Sequence, residues 1–263
     1  MGSILDEIIT YKQAEVEERK ALVPIKMLEK SVFYETPVVS LKEYLLRKDK
    51  SGIIAEIKRK SPSAGIINQN VSIERTSIGY MQAGASALSI LTDSKYFGGS
   101  NEDLKEARKF NFCPILRKEF IIDTYQIIEA KSIGADAILL IAAVLEEKQL
   151  GEMIKFAQSL GLEVLVEVHN KEEIFNNLDN ADLVGVNNRN LKSFAVSIET
   201  SLELYEHLPT SVVKISESGI SEVDAVHRLR ETGYQGFLIG GTFMSETRPE
   251  KACLRFIKKL NES

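Results

Sequence analysis

From residue 53 to the carboxyl end, eight short runs rich in Ile, Leu and Val alternate with amphipathic helical stretches, and this alternation leaves few folds open. The predicted strands are Ile53–Lys58, Ala87–Leu91, Pro114–Lys118, Ala137–Ile141, Glu163–Glu167, Leu183–Val186, Val212–Ile215 and Gly236–Ile239. Between them, a predicted helix over Lys148–Leu160 places Leu150, Met153, Ile154 and Ala157 at i, i+3, i+4 and i+7, and Pro249–Leu260 does the same with Cys253, Phe256, Ile257 and Leu260. Helix starts are signalled by Ser100-x-x-Asp103 and Ser221-x-x-Asp224.

A weak internal echo narrows the choice. Gly84-Ala85-Ser86-Ala87, Gly134-Ala135-Asp136-Ala137, Asn180-Ala181-Asp182-Leu183 and Gly233-Tyr234-Gln235-Gly236 each close a helix and open a strand. They recur at intervals of roughly fifty residues, the length of two βα units. Four double units make an α/β chain of eight strands, each followed by a helix, as in a (β/α)8 TIM barrel. A doubly wound open sheet is the alternative. The barrel is preferred because polar residues gather at the carboxyl ends of many strands rather than at one switch point. Residues 53–263 are therefore read as the barrel and residues 1–52 as a helical extension, within one domain. In the extension, Ile4, Leu5, Ile8, Ile9 and Val16 form one helical stripe, and Ser40-x-x-Glu43 opens a second short helix. That stripe either plugs the amino-terminal end of the barrel or covers a site at the carboxyl end.

Chemistry is concentrated at the strand ends. In the first run Glu56 and Lys58 share a face with Ile54, so a carboxylate and an ammonium sit side by side at the edge of a core. Burying either charge alone costs several kcal/mol, so the pair is a salt bridge or a functional site. The third strand ends in Lys118 and the fifth in Glu167; Asn187, Asn188 and Arg189 follow the sixth, and Glu217, Ser218 and Gly219 the seventh. Such a set at one mouth suits general acid–base catalysis on a carbonyl or alcohol, and equally a Schiff-base aldolase with a desolvated lysine. A catalytically silent barrel that binds a sugar phosphate is a third possibility, less favoured because binding alone does not require Glu56, Lys58, Lys118 and Glu167. After the seventh and eighth strands, Ser218-Gly219 and Gly240-Gly241 let backbone N–H groups approach an anion, with the Ser61 hydroxyl nearby, so phosphate is the expected ligand there.

Other classes are disfavoured. The net charge is −5 with no long basic run, which argues against nucleic acid or an anionic membrane as partner; the short Lys58-Arg59-Lys60 cluster fits a small anion better. No apolar run approaches the length of a membrane span, and the amino terminus has no apolar signal stretch, so a cytoplasmic protein is expected. Cys113 and Cys253 are expected to be buried free thiols. His169, His207 and His227 are scattered and read as solvated helix or loop positions, and neither a metal signature nor a dinucleotide fingerprint is present, so no cofactor is expected.

Seven ordered motifs give the chain a closer resemblance. They are Glu56-Ile57-Lys58-Arg59-Lys60-Ser61-Pro62-Ser63, Leu91-Thr92-Asp93 with Tyr96-Phe97-Gly98-Gly99-Ser100, Leu116-Arg117-Lys118-Glu119-Phe120-Ile121, Leu165-Val166-Glu167-Val168-His169, Gly185-Val186-Asn187-Asn188-Arg189-Asn190-Leu191, Ser216-Glu217-Ser218-Gly219-Ile220 and Leu238-Ile239-Gly240-Gly241. In these, over nearly its whole length, the sequence resembles the indole-3-glycerol phosphate synthases of tryptophan biosynthesis. The resemblance implies conversion of 1-(2-carboxyphenylamino)-1-deoxyribulose 5-phosphate into indole-3-glycerol phosphate, with release of carbon dioxide and water and no metal or organic cofactor. It implies that Lys118 is the acid on the substrate ketone, that Lys58 and Glu167 compete as acid for the dehydration, and that Glu56 is a base or lysine partner. Asn187, Arg189, Glu217 and Ser218 would hold substrate oxygens and carboxylate; Phe97, Phe120, Leu139 and Leu191 would sandwich the aromatic ring; Ser61, Gly219, Gly240 and Gly241 would bind phosphate. The expected partner is thus a small sugar-phosphate substrate, and a monomer is expected. One departure is Ala64, where family members often carry a basic residue, which removes any extra phosphate or loop-closing contact from that position.

Overall fold

In the computed structural model, which describes residues 3–262, eight parallel strands close into a barrel. The ends of the predicted extension and barrel, residues 1, 2 and 263, lie outside the described residues. The barrel strands are β1 (Ile53–Ile57), β4 (Ala87–Leu91), β5 (Ile115–Lys118), β6 (Ala137–Ile141), β7 (Glu163–Val168), β8 (Leu183–Asn187), β9 (Val213–Glu217) and β10 (Gly236–Ile239). Each pairs in parallel with its neighbours in sequence, and β10 returns to β1, which excludes the open sheet. An antiparallel ribbon of β2 (Lys60–Ser61) and β3 (Gly65–Ile66) stands in the loop after β1, where no strand was expected.

Period-two alternation divides each strand between two cores. Ile54, Ala87, Leu116, Leu139, Leu165, Leu183, Ile215 and Leu238 fill the barrel interior. Ile53, Ala55, Ile57, Leu88, Ile90, Val164 and Val166 face the surrounding helices. The next inward positions toward the carboxyl ends include Glu56, Lys118, Glu167 and Glu217, with Asn187 one step beyond Gly185 on β8, so the polar layer continues the apolar one. Because β9 runs on to Glu217, that carboxylate belongs to the strand instead of the loop that the predicted boundary at Ile215 implied.

Two helix expectations need correction. No α-helix follows β7; 3-10 turns at Lys171–Glu173 and Asn176–Asn180 take its place. The segment is rich in Asn and Asp, whose side chains compete for backbone groups, as Asn170 does by accepting from the Glu173 N–H. The helix Val223–Thr232 starts after Glu222 with no side-chain cap, so Ser221 does not cap it; Ser100 and Ser40 do cap theirs.

The extension serves both predicted locations at once. Its helices are α1 (Ile4–Leu22), α2 (Ile25–Leu28) and α3 (Leu41–Leu46). Leu41 and Leu45 of α3 join the interior cluster at the amino-terminal end. There Glu163, the first residue of β7, accepts from the Ser40 hydroxyl and from the Lys42 N–H at 2.9 Å. By contrast, Ile4, Leu5 and Ile8 of α1 reach the cavity at the carboxyl ends of the strands. Among the described residues no helix is long and apolar enough to cross a membrane.

Leu41 is fully buried, so Leu41→Ala should destabilise the fold by about 2–5 kcal/mol, as cavity-forming substitutions do. Urea denaturation gives that loss, and turnover per folded molecule should stay unchanged, because the plug lies at the end of the barrel remote from the polar layer.

Candidate active site

The inward polar layer forms the floor of a cavity of about 430 Å3, and every residue assigned a role from the sequence lines it. Lys118 stands at its centre, with Nζ 2.6 Å from Glu167 Oε2 and 3.0 Å from Glu217 Oε2. Lys58 Nζ donates to Glu56 Oε1 at 2.6 Å, and the Ser89 hydroxyl reaches the other oxygen of Glu56 at 3.5 Å. Two glycines make room for these carboxylates: a Cβ on Gly185 would collide with Glu217 Oε1, and one on Gly240 with Glu56 Oε1.

Burial disfavours the charge on Lys118, but the carboxylates of Glu167, Glu217 and Glu56 outweigh it and hold the pKa above the ordinary lysine value. Glu167 is also buried, yet Lys118 and His169 hold it well below the usual carboxylate range. Glu217 goes the other way. Burial, with the nearby Glu167 charge, overcomes Lys118 and raises its pKa to about 7. Glu217 Oε2 faces the Lys118 ammonium, while Oε1 has no hydrogen-bond partner within the protein and can accept a donor from a ligand.

Around this floor the walls differ in character. Phe97 and Phe120 lie with ring centroids 5.9 Å apart on one side, and Leu139 and Leu191 line the same space. The Asn187 side chain accepts from the Arg189 N–H at 3.0 Å, and Arg189 Nη1 donates to the Phe194 carbonyl at 3.2 Å. Asn188 turns away and is held by Ser201 and Ser216. Ser61, Gly219, Gly240 and Gly241 line the cavity as well. Ser218 adopts φ 67°, a left-handed conformation that costs a non-glycine residue about 1–3 kcal/mol. Asn188 Nδ2 steadies it with a 3.0 Å bond to its carbonyl.

Two sequence expectations change. Of Lys58-Arg59-Lys60, only Lys58 lines the cavity: Arg59 makes a bidentate pair with Asp103 at 2.5 and 2.9 Å, and Lys60 Nζ donates to the Lys95 carbonyl. His169 is not solvated; its side chain is 6% exposed, with Nε2 3.2 Å from Glu167 Oε1 and Nδ1 3.1 Å from Glu173 Oε2. Its position two residues after Glu167 repeats the Glu56–Lys58 spacing, a signal present in the sequence. The sequence carried no expectation for Lys12, which falls on the buried stripe of α1 in the series Ile4, Ile8, Lys12, Val16 and is 2% exposed. Both cysteines are buried free thiols, as expected.

A sequence profile of the family described as indole-3-glycerol phosphate synthase matches residues 5–256. The chain belongs to this family. An indole-3-glycerol phosphate synthase of Bacteroides thetaiotaomicron is 46% identical over 260 residues, covering 99% of this chain and 100% of the relative. One from Carboxydothermus hydrogenoformans is 43% identical over 257 residues, covering 94% and 97%. The chain thus has indole-3-glycerol-phosphate synthase activity, a carboxy-lyase reaction on a sugar phosphate in tryptophan biosynthesis. Among solved structures, one of the tryptophan synthase a2b2 complex from Pyrococcus furiosus aligns with TM-score 0.60 at 15% identity, covering 82% of this chain and 99% of that one. A thiamine phosphate pyrophosphorylase from Pyrococcus furiosus aligns with TM-score 0.59 at 15% identity, covering 85% and 98%. At such identities these likenesses show the barrel fold alone.

The His169 pairing has a pH signature. Burial opposes its charge, but Glu167 and Glu173 prevail and raise its pKa from 6.5 to about 10. A raised folded-state pKa means the stabilisation is complete below about pH 6.5 and is lost as pH rises through about 10. Between these limits the urea midpoint of the unaltered protein should fall more steeply than that of His169→Gln, and parallel profiles would refute the pairing.

Proposed function

We propose that this synthase works by general acid–base catalysis, with Lys118 as the acid that protonates the substrate ketone. The observation that carries the reading is the buried ammonium of Lys118 between Glu167 and Glu217, at the centre of a cavity with aromatic walls. The aromatic carbon bearing the carboxylate attacks the ketone carbon as the carbonyl π bond breaks, and Lys118 gives its proton to the carbonyl oxygen, which stays on that carbon as a hydroxyl. Carbon dioxide then leaves, its bonding electrons restore aromaticity, and an alcohol remains for dehydration.

Lys58 is the acid for that second stage. Glu167 is held ionised by Lys118 and His169, so it enters as an acceptor of protons, whereas Lys58 brings one on an ammonium paired with Glu56. The hydroxyl departs as water with the Lys58 proton, and Glu56 or Glu167 takes the proton released as the indole double bond forms. Arg189 and Asn187 hold the substrate carboxylate and oxygens, and Glu217 and Ser218 take its hydroxyls. Phe97, Phe120, Leu139 and Leu191 enclose the ring. Ser61, Gly219, Gly240 and Gly241 take the phosphate.

A Schiff-base role for Lys118 is less favoured, since a nucleophilic lysine must be neutral and three carboxylates favour its charged form. The extension 1–52 and barrel 53–263 function as one domain, a reading supported by α1 residues lining the cavity. We also propose a cytoplasmic monomer; the family to which the chain belongs is typically cytoplasmic, and the cavity is formed within one chain.

The sequence contains no Trp, so indole emission can be followed against a tyrosine background. Lys118→Met should lower kcat by at least about 100-fold, the scale of general acid catalysis. Turnover near normal would remove Lys118 from the acid role. In Lys58→Met, labelled carbon dioxide should be released faster than indole appears; a lag found only in Glu167→Gln would transfer the dehydration acid to Glu167. Since Glu217 has its pKa raised to about 7 and is needed ionised, kcat/KM should fall as pH drops through about 7, and Glu217→Gln should abolish that inflection.

A further inference from the structure

One buried ammonium joins the extension to both aromatic walls. Lys12 Nζ lies 3.0 Å from Asp93 Oδ2 and 3.0 Å from Glu119 Oε1. Asp93 uses its other oxygen to accept from the backbone N–H groups of Tyr96 at 2.6 Å and Phe97 at 3.1 Å. Glu119 Oε1 also accepts from the Phe120 N–H at 2.8 Å. Each of the two carboxylates therefore holds the backbone of one member of the Phe97–Phe120 pair, and Lys12 holds the two carboxylates together.

The clasp is itself part of a closed polar ring. Lys12 meets Glu15 at 2.5 Å; Glu15 lies 3.7 Å from Arg19; and Arg19 donates to Glu129 at 2.7 Å. Arg117 Nη2 donates to the second oxygen of Glu129 at 2.5 Å, and its Nε donates to the Thr92 hydroxyl at 3.1 Å. Thr92 in turn donates to Glu119 at 2.8 Å, which returns the path to Lys12. At the surface, Glu7 accepts from the Tyr96 hydroxyl at 3.0 Å and Tyr11 packs edge-on against the Tyr96 ring. Burial works against the Lys12 charge, and Glu119, Asp93 and Glu15 outweigh it, so the cation persists.

We infer that Lys12 is a positioning residue for the reaction: through Asp93 and Glu119 it sets the spacing of Phe97 and Phe120, and so the fit of the substrate's aromatic ring. Without the ammonium, two adjacent buried carboxylates lose their shared counterion and repel, and each carries its aromatic with it. The inference rests on the proposed role of Phe97 and Phe120 as walls for that ring, and on no direct contact between Lys12 and substrate.

The test is a cycle of Lys12→Met, Phe97→Ala and the double variant, assayed with the anthranilate-bearing substrate and with inorganic phosphate as competitive inhibitor. Lys12→Met should raise KM about tenfold with a smaller change in kcat, and leave the phosphate inhibition constant within about twofold. The double variant should be no worse than about Phe97→Ala alone, because Lys12 acts through that wall. Lys12→Arg, which keeps a cation, should recover most of the loss. An unchanged KM, losses that multiply, or substrate and phosphate weakened by the same factor would each overturn the inference. If Phe97→Ala itself leaves KM unchanged, the aromatic-wall reading falls first and takes the inference with it. Should Lys12→Met fail to fold, Asp93→Asn keeps a side-chain acceptor for the loop while removing one charge of the clasp, and the same comparisons apply.

Discussion

Lys118 sits between Glu167 and Glu217 with its side chain 12% exposed, and much of the surrounding structure is an accommodation of that ion cluster. Three ionisable groups in contact with a hydrophobic core are costly unless their charges and bonds are matched. The barrel meets the requirement by delivering each group from a different strand at the same height, so that no loop has to hold them. β5 supplies the cation, and β7 and β9 supply the carboxylates. Gly185 and Gly240 leave the volume that the carboxylates occupy. The same matching accounts for the unequal character of the acids. Glu167 has two cations beside it and stays ionised, whereas Glu217 shares one and lies near neutrality.

The extension completes what the barrel begins. An eight-stranded barrel has two open ends, and a single preceding segment treats them differently: α3 inserts leucines into one, and α1 lays Ile4, Leu5 and Ile8 beside the other. Apolar contacts dominate the first end. At the second, the helix is tied by buried ion pairs whose directionality fixes the position of whatever the carboxylates also hold. The part of the chain that precedes the barrel therefore contributes to the shape of the reaction chamber as well as to its closure.

How much of this could be read in advance depends on the length scale of the signal. The strands were legible as apolar runs between amphipathic stretches, and in five of them the inward series ends in a residue that an apolar core would not otherwise tolerate, as in Ile54–Glu56–Lys58 or Leu165–Glu167. The chemical types at the cavity followed from that alone, and the family's seven motifs supplied the roles. His169 was misread despite obeying the same spacing, because its burial depends on Glu173, which returns from the following 3-10 turn. Lys12 was overlooked because a lysine in an amphipathic stripe normally extends to solvent; its partners lie some 80 and 107 positions away. The missing helix after β7 reflects local competition from Asn and Asp side chains that helical periodicity does not report.

β7 carries one further consequence. Glu163 and Glu167 lie on the same face of one strand, the first engaged with the plug at Ser40 and Lys42, the second with Lys118. A slip of one residue in the pairing of this strand would turn both carboxylates outward together and replace them with valines. A misaligned barrel would thus lose its base and its active centre in a single error, leaving no well-plugged but inactive product of mispairing at this strand. Catalytic competence in this protein is in that sense a report on the alignment of its sheet.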